Sequence, residues 1–164
     1  MESNIKINYW MLLCNPNKWF GDKSTKNAEV NGILYDLVEF DWTTGRNSFV
    51  DIKEGDLGII KVGNDHRSKA CRTIGNDTVD ILDAGIYAIV EFINNENGTV
   101  LHKDANGTPR VHFKVLRNLY KENEIIDKDN TQRLLLGDFK SFSSKKISED
   151  IFLNIDAFIN KQDK

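Results

Sequence analysis

Residues 42–62, WTTGRNSFVDIKEGDLGIIKV, carry the most informative pattern in the chain. Trp42 is followed at once by two hydroxyl side chains, a glycine, Arg46 and Asn47. We expect this aromatic to lie on a loop, because polar residues and a glycine surround it. A flat ring close to a guanidinium and an amide fits a planar, hydrogen-bonding ligand such as a nucleobase. The alternative is a tryptophan that packs in the core.

Apolar runs and turn residues around this stretch predict an α+β domain. Strands are predicted over residues 9–14, 57–62, 86–93, 99–102 and 111–115. Helical segments are predicted over residues 30–38, 51–54 and 131–136, and in a final helix that Ser148 caps. The polar segment between the second and third of these strands is too long for a hairpin turn, and loops of that length are often functional.

Length and composition predict a single globular domain. The chain has 164 residues, 40% of them hydrophobic and 29% charged. We expect one domain over residues 5–160, with residues 1–4 and 161–164 as tails. The net charge of -3, from 22 basic and 25 acidic residues, argues against a protein that coats nucleic acid by charge alone.

Motifs for catalysis, metal binding and membrane insertion are missing from the sequence. Cys14 and Cys71 lack the spacing of a zinc site, and the three histidines lack a metal-binding pattern. There is no nucleophile elbow, phosphate-binding loop or dinucleotide fingerprint. No apolar run is long enough for a signal core or a membrane span. We therefore expect a cytoplasmic protein that is not an enzyme, without metal, cofactor or membrane partner.

Basic residues cluster more than the net charge suggests. Residues 61–72 hold four cations against Asp65 alone, namely Lys61, Arg67, Lys69 and Arg72. A second basic stretch, with Arg110, Lys114 and Arg117, lies around the strand predicted over residues 111–115. These residues form either a solvated surface or a face that contacts phosphates. Trp19 follows Asn-Pro-Asn-Lys and is either a lid over the core or a pocket wall.

Four segments in order resemble the EVE domain, a member of the PUA-like superfamily related to YTH domains. They are YWMLLCNPNKW from residue 9, DWTTGRNSFVDIKEGDLGIIKV from residue 41, AGIYAIVEFI from residue 84 and VHFKVLRNL from residue 111. The sequence departs from the family in its longer loop around Asp65-His66-Arg67-Ser68. The resemblance implies a PUA-like mixed β-barrel of about five to six strands with helices around it.

The resemblance also implies a pocket for a base flipped out of a nucleic acid. Trp42 would be the stacking wall and Trp19 a second wall. Asn15 or Asn17, together with Thr43, would read the edge of the base. Phosphates would be held by Arg46, Arg67, Lys69, Arg72 and Lys61. Asn47 and Asp56 would hold the scaffold.

The function implied is a DNA-binding module that recognises a methylated or hydroxymethylated base. The segment Asn15-Pro16-Asn17-Lys18-Trp19 resembles EVE domains of modification-dependent restriction systems of the McrBC type, in which a nuclease or motor subunit would be a partner. The alternatives are an RNA-binding reader of the YTH kind and a PUA-like regulatory domain that binds a small molecule.

Overall fold

The fold is given by a computed structural model that describes residues 6–16, 30–44, 49–78, 80–140 and 144–162. The strands are β1 (Tyr9–Cys14), β2 (Glu39–Thr43), β3 (Leu57–Val62), β4 (Thr73–Ile74), β5 (Asp77–Thr78), β6 (Gly85–Phe92), β7 (Leu101–Lys103), β8 (Pro109–Asn118), β9 (Ile126–Asp127) and β10 (Lys145–Ile147). The helices are α1 (Val30–Leu34), α2 (Lys128–Leu135) and α3 (Glu149–Gln162), with a 3-10 helix over Leu136–Lys140. None of the helices in the described ranges is long and apolar enough to cross a membrane.

Eight strands form one mixed sheet in the order β10-β1-β3-β6-β8-β2, with β7 paired to β8 and β9 paired to β6. β1 and β3 run parallel, and the other pairs in this sheet are antiparallel. The α+β class is as predicted, but the predicted barrel of five to six strands is wrong. In the described residues the outer strands β10 and β2 do not pair, so the sheet is open. The unpredicted strands of this sheet are β2, where the sequence pattern predicts a loop around Trp42, and β9 and β10, which have only two or three residues, too few for a recognisable pattern.

Both faces of the sheet are buried, and the side chains of β1 and β3 alternate between them. Trp10, Leu12 and Cys14 point to one core, which also contains Trp42 and Phe49. Met11 and Ile59 point to a second core, which α2 and α3 cover. A strand that is buried on both faces reads as an almost continuous apolar run, which is why β1 and β3 could be predicted from sequence.

The two longer helices begin at side-chain caps. Asp127 Oδ1 accepts a hydrogen bond from the backbone N–H of Asn130 at 2.9 Å, and α2 therefore starts one turn earlier than predicted. Ser148 Oγ accepts from the N–H of Ile151 at 3.2 Å, as predicted for the final helix. That helix continues to Gln162, two residues into the predicted tail over residues 161–164.

The predicted helix over residues 51–54 is wrong. This segment is a pair of turns, with hydrogen bonds from Ile52 N–H to the Phe49 carbonyl and from Asp56 N–H to the Lys53 carbonyl, both 3.1 Å. Gly55 adopts φ of 95°, a left-handed conformation that ends the turn and suits glycine.

The prediction over residues 30–38 is correct only in its first half. α1 ends at Leu34, and Asp36 at φ of 58° reverses the chain. β2 then begins at Glu39, so Trp42 lies on a strand and not on the predicted loop.

The Asp56 carboxylate joins the start of β3 to the start of β1. It is fully buried and accepts hydrogen bonds from the N–H of Asn8 at 3.1 Å and from Trp10 Nε1 at 3.0 Å. It also accepts from the N–H of Lys53 at 3.1 Å and from Lys53 Nζ at 2.9 Å. These four donors come from both sides of the parallel pair, so the carboxylate fixes the register in which Tyr9 lies opposite Leu57.

We predict that Asp56→Ala lowers the free energy of unfolding by about 3 kcal/mol or more, because buried donors lose their acceptor. Urea denaturation followed by circular dichroism measures this change. The control is Asp51→Ala, which removes an exposed ion pair with Lys146 and should cost under about 1 kcal/mol. Equal losses in the two variants would contradict the role assigned to Asp56.

Candidate functional site

Three chain segments converge at one edge of the sheet, which we call the cleft edge. β1 and β3 are parallel and both end there, at Cys14 and Val62, while the antiparallel β6 begins there at Gly85. The N–H of Gly63 donates to the Cys14 carbonyl at 2.9 Å, which holds the first residues of the following loop against β1. Asn15, one of the predicted base-reading residues, is therefore next to the start of the 63–84 loop.

A cleft of ≈ 390 Å³ opens at this edge. Its lining residues are Asn64, Asp83, Ala84, Ile125, Asp127 and Lys128. The volume lies in the range of small-molecule sites, and the lining combines two carboxylates, an amide and a cation with two apolar side chains. Such a lining can bind a ligand that presents hydrogen-bond donors on one side and an apolar group on another.

Gly85 makes the floor of the cleft possible. β9 pairs with the first residues of β6, and it approaches so closely that a Cβ on Gly85 would lie 2.0 Å from the Ile126 carbonyl oxygen. The same Cβ would lie 3.1 Å from Ile125 Cγ2. Only glycine therefore allows β9 to approach closely enough for Asp127, and Ile125 just before β9, to reach the cleft.

A buried ion pair closes the loop that carries Asn64 and Asp83. Asp65 accepts from Arg67 Nε at 2.8 Å and from Arg67 Nη2 at 2.6 Å, and the backbone N–H of Arg67 donates to it as well. The N–H of Leu82 donates to Asp65 Oδ2 at 2.9 Å, so the two ends of the loop are held together. Burial alone would raise the pKa of Asp65, but Arg67 and the two N–H donors outweigh it and hold the pKa at about 2.

Two of the predicted phosphate contacts are wrong because their side chains are buried. Lys61 donates to the Phe139 carbonyl and lies 4.4 Å from the centre of the Phe139 ring, and burial lowers its pKa. Arg67 is 7% exposed and bonded to Asp65. Lys69 is exposed and Arg72 half-buried, in a turn where the Arg72 N–H donates to the Ser68 carbonyl. Arg46 and Asn47 lie outside the described residues.

Two of the three cations in the second basic stretch, on β8, pair with neighbouring acids. Lys114 pairs with Glu91 at 3.1 Å, and Arg117 pairs with Glu122 at 2.9 Å. His112, on the same strand, lies between the carboxylates of Glu39 and Asp41. Burial alone would lower the pKa of His112, but these two acids outweigh it and raise the pKa.

Trp42 and Thr43 do not meet Asn15. Trp42 on β2 pairs with Val111 on β8. Close to Val111 on the same strand, Phe113 pairs with Phe92, the last residue of β6. Both residues therefore lie at the opposite end of the sheet from the cleft. Trp42 is 1% exposed and has no open face on which a base could stack. Asn17 and Trp19 lie outside the described residues.

The six cleft residues were not among the predicted site residues. The sequence signal for two of them was a polar side chain close to the end of a strand, Asn64 after β3 and Asp83 before β6. That signal becomes useful only once the parallel pairing of β1 and β3 is known. Within the described residues, no group of three or more His, Cys, Asp or Glu side chains is arranged to hold a metal ion.

We predict that the Asp65–Arg67 pair contributes to stability in a pH-dependent way. The folded pKa of about 2 lies below the ordinary value of 3.8, so the contribution is present above about pH 4 and is lost as the pH falls towards 2. The pair contributes about 2 kcal/mol to the free energy of unfolding. The gap in unfolding free energy between wild type and Asp65→Asn, measured by urea titration, should shrink between pH 5 and pH 2. A gap that stays constant over this range would contradict the assignment.

Comparisons with known proteins show the fold alone. A scan against models of known protein families finds no match, and neither does a search of curated protein sequences. Among solved structures, the human THYN1 protein in complex with DNA that contains 5-methylcytosine is similar. The TM-score is 0.53 at 10% sequence identity, and the match covers 93% of this chain and 97% of the other. This likeness shows that the two proteins share a fold, and the open mixed sheet with its helices is of the α+β class.

Proposed function

We propose that this protein is a module that binds methylated DNA and receives a flipped 5-methylcytosine in the cleft. The observation that carries the proposal is the shared fold with THYN1, whose structure contains 5-methylcytosine DNA, across 93% of this chain. At 10% identity the fold likeness does not transfer a binding site. The cleft is therefore argued from its own chemistry.

The cleft lining matches the groups that 5-methylcytosine presents. The exocyclic amino group of cytosine is a donor, and carboxylates are its usual protein acceptors. Asp83 and Asp127 supply two carboxylates at the cleft. Asp127 uses Oδ1 to cap α2, and a carboxylate has a second oxygen to accept from a ligand. Ala84 and Ile125 provide an apolar surface for the 5-methyl group.

The energetics favour a reader that acts together with other contacts. Extruding a base costs a few kcal/mol, and a single methyl group contributes roughly 1–3 kcal/mol of discrimination. The net charge is -3, and Lys61 and Arg67 are buried, so attraction to phosphates by overall charge is weak. A weak module gains affinity when several copies are linked. We propose on this basis that the protein serves as the specificity domain of a modification-dependent restriction system of the McrBC type, with the nuclease or motor on a partner, and that it binds without catalysing a reaction.

We predict that the protein binds a duplex with one 5-methylcytosine about 5- to 150-fold more tightly than the unmodified duplex, the equivalent of 1–3 kcal/mol. Fluorescence anisotropy at fixed salt measures both dissociation constants. Asp83→Asn and Asp127→Asn should weaken binding of the methylated and the unmodified duplex alike, because both bases carry the amino group and an amide accepts less strongly than a carboxylate. Asparagine keeps the helix cap at position 127, so the second variant should fold.

The matched control is Asp150→Asn, which changes an exposed carboxylate in the first turn of α3. It should leave both dissociation constants unchanged. Equal binding of methylated and unmodified duplexes by the wild type would refute the proposal. Tighter binding to single-stranded RNA of the same sequence would favour the RNA-reading alternative.

We predict that Lys69→Ala flattens the salt dependence of DNA binding. Each phosphate contact contributes about 0.9 to the slope of log affinity against log salt on duplex DNA, so loss of one contact lowers the slope by that amount. Lys61→Met serves as the control, since Lys61 is buried and bonded to the Phe139 carbonyl. Slopes that fall in Lys61→Met and stay unchanged in Lys69→Ala would reverse our assignment of the phosphate contact.

A further inference from the structure

Two aromatic side chains are exposed in the part of the chain that the structure describes. They are Tyr35, which is 70% exposed, and Tyr120, which is 38% exposed. Tyr120 follows the end of β8, on the turn over residues 119–124 that leads into Ile125 of the cleft lining. Trp42 is buried at the other end of the sheet. Tyr120 is not one of the six lining residues, but it is the exposed ring, among the described residues, whose turn leads into the cleft lining.

The orientation of Tyr120 is fixed by Tyr87. The two rings are nearly parallel, at 8°, with centroids 5.8 Å apart. Tyr87 is fully buried, and its hydroxyl donates to the Asp83 carbonyl at 2.6 Å. Asp83 also lines the cleft, so one residue anchors the aromatic pair and contributes to the cleft wall. One side of the Tyr120 ring faces Tyr87, while the residue as a whole stays 38% exposed.

The turn that carries Tyr120 is held from both ends. The Asn118 amide donates to the Ile33 carbonyl at 2.8 Å, and its oxygen accepts from the N–H of Lys121 at 3.1 Å. Arg117 binds Glu122 and also Glu124, at 2.9 and 3.3 Å. A ring held in place before binding loses little freedom when a base stacks on it.

We propose that Tyr120, backed by Tyr87, is the stacking wall for the base that leaves the duplex and enters the cleft. This inference rests on the proposed function and assigns the wall to a residue that the sequence resemblance did not indicate. Aromatic stacking tolerates any base, so Tyr120 supplies affinity for the extruded base, while Asp83, Asp127 and the apolar lining distinguish its chemical groups. Loss of the ring should therefore weaken binding of methylated and unmodified extruded bases alike.

The test is a double-mutant cycle in which the tyrosine ring, the extruded base or both are removed. Tyr120→Ala should weaken binding of the 5-methylcytosine duplex about 5- to 150-fold, the equivalent of 1–3 kcal/mol of stacking. Tyr120→Phe should bind like the wild type, since it keeps the ring. On a duplex with an abasic site in place of the 5-methylcytosine, wild type and Tyr120→Ala should bind equally, because no base remains to stack. Tyr35→Ala, which removes the more exposed tyrosine, is the control and should bind all duplexes like the wild type.

The outcomes separate this inference from the function on which it rests. If the wild type prefers the methylated duplex and Tyr120→Ala binds that duplex as tightly as the wild type does, Tyr120 is not the stacking wall and the proposed function stands. A loss in Tyr120→Ala that persists on the abasic duplex overturns the wall too, because the contact is then not to the base. If the wild type does not distinguish the duplexes, the function fails and the wall fails with it.

Discussion

The buried carboxylate of Asp56 is the constraint on which the sheet depends. It accepts hydrogen bonds from Asn8 and Trp10 at the start of β1 and from Lys53 just before β3. Neighbouring parallel strands are not joined by a hairpin, so their register must be set by something other than a tight turn. Asp56 supplies that contact across 46 residues of sequence from Trp10. With β1 and β3 aligned at one end, their other ends meet at the cleft edge.

The cleft is a consequence of that alignment. Cys14 and Val62 end side by side, β6 begins opposite them, and Gly85 lets β9 approach closely enough to bring in Ile125 and Asp127. The Asp65–Arg67 pair then closes the long loop, so that its first and last residues form one wall. Arg67 thus stabilises the loop that lines the cleft and does not contact a ligand there. The acidic partners of β8 likewise leave that strand unsuited to binding phosphates.

Much of the fold could be predicted from sequence, because strands buried on both faces and helices with caps leave strong local patterns. β1, β3, β6 and α3 are of this kind. The site was harder to predict. Charge counts identified Lys61 and Arg67 but could not show that both are buried. Trp42 was assigned to a loop from the polar residues after it, although Phe40 and Trp42 alternate with Asp41 as a strand requires. The cleft itself depends on long-range pairing, which no local pattern records.

The central claim is that methylated DNA binds at the cleft edge, and nuclear magnetic resonance mapping tests it most directly. Amide shifts of the ¹⁵N-labelled protein would be recorded while a 5-methylcytosine duplex, or its unmodified counterpart, is added. The account predicts that shifts specific to the methylated duplex cluster at Asn64, Asp83, Ala84 and residues 125–128, together with Tyr120. Methyl-specific shifts confined to β2 and β7 at the opposite end of the sheet, or identical shifts with both duplexes, would contradict it.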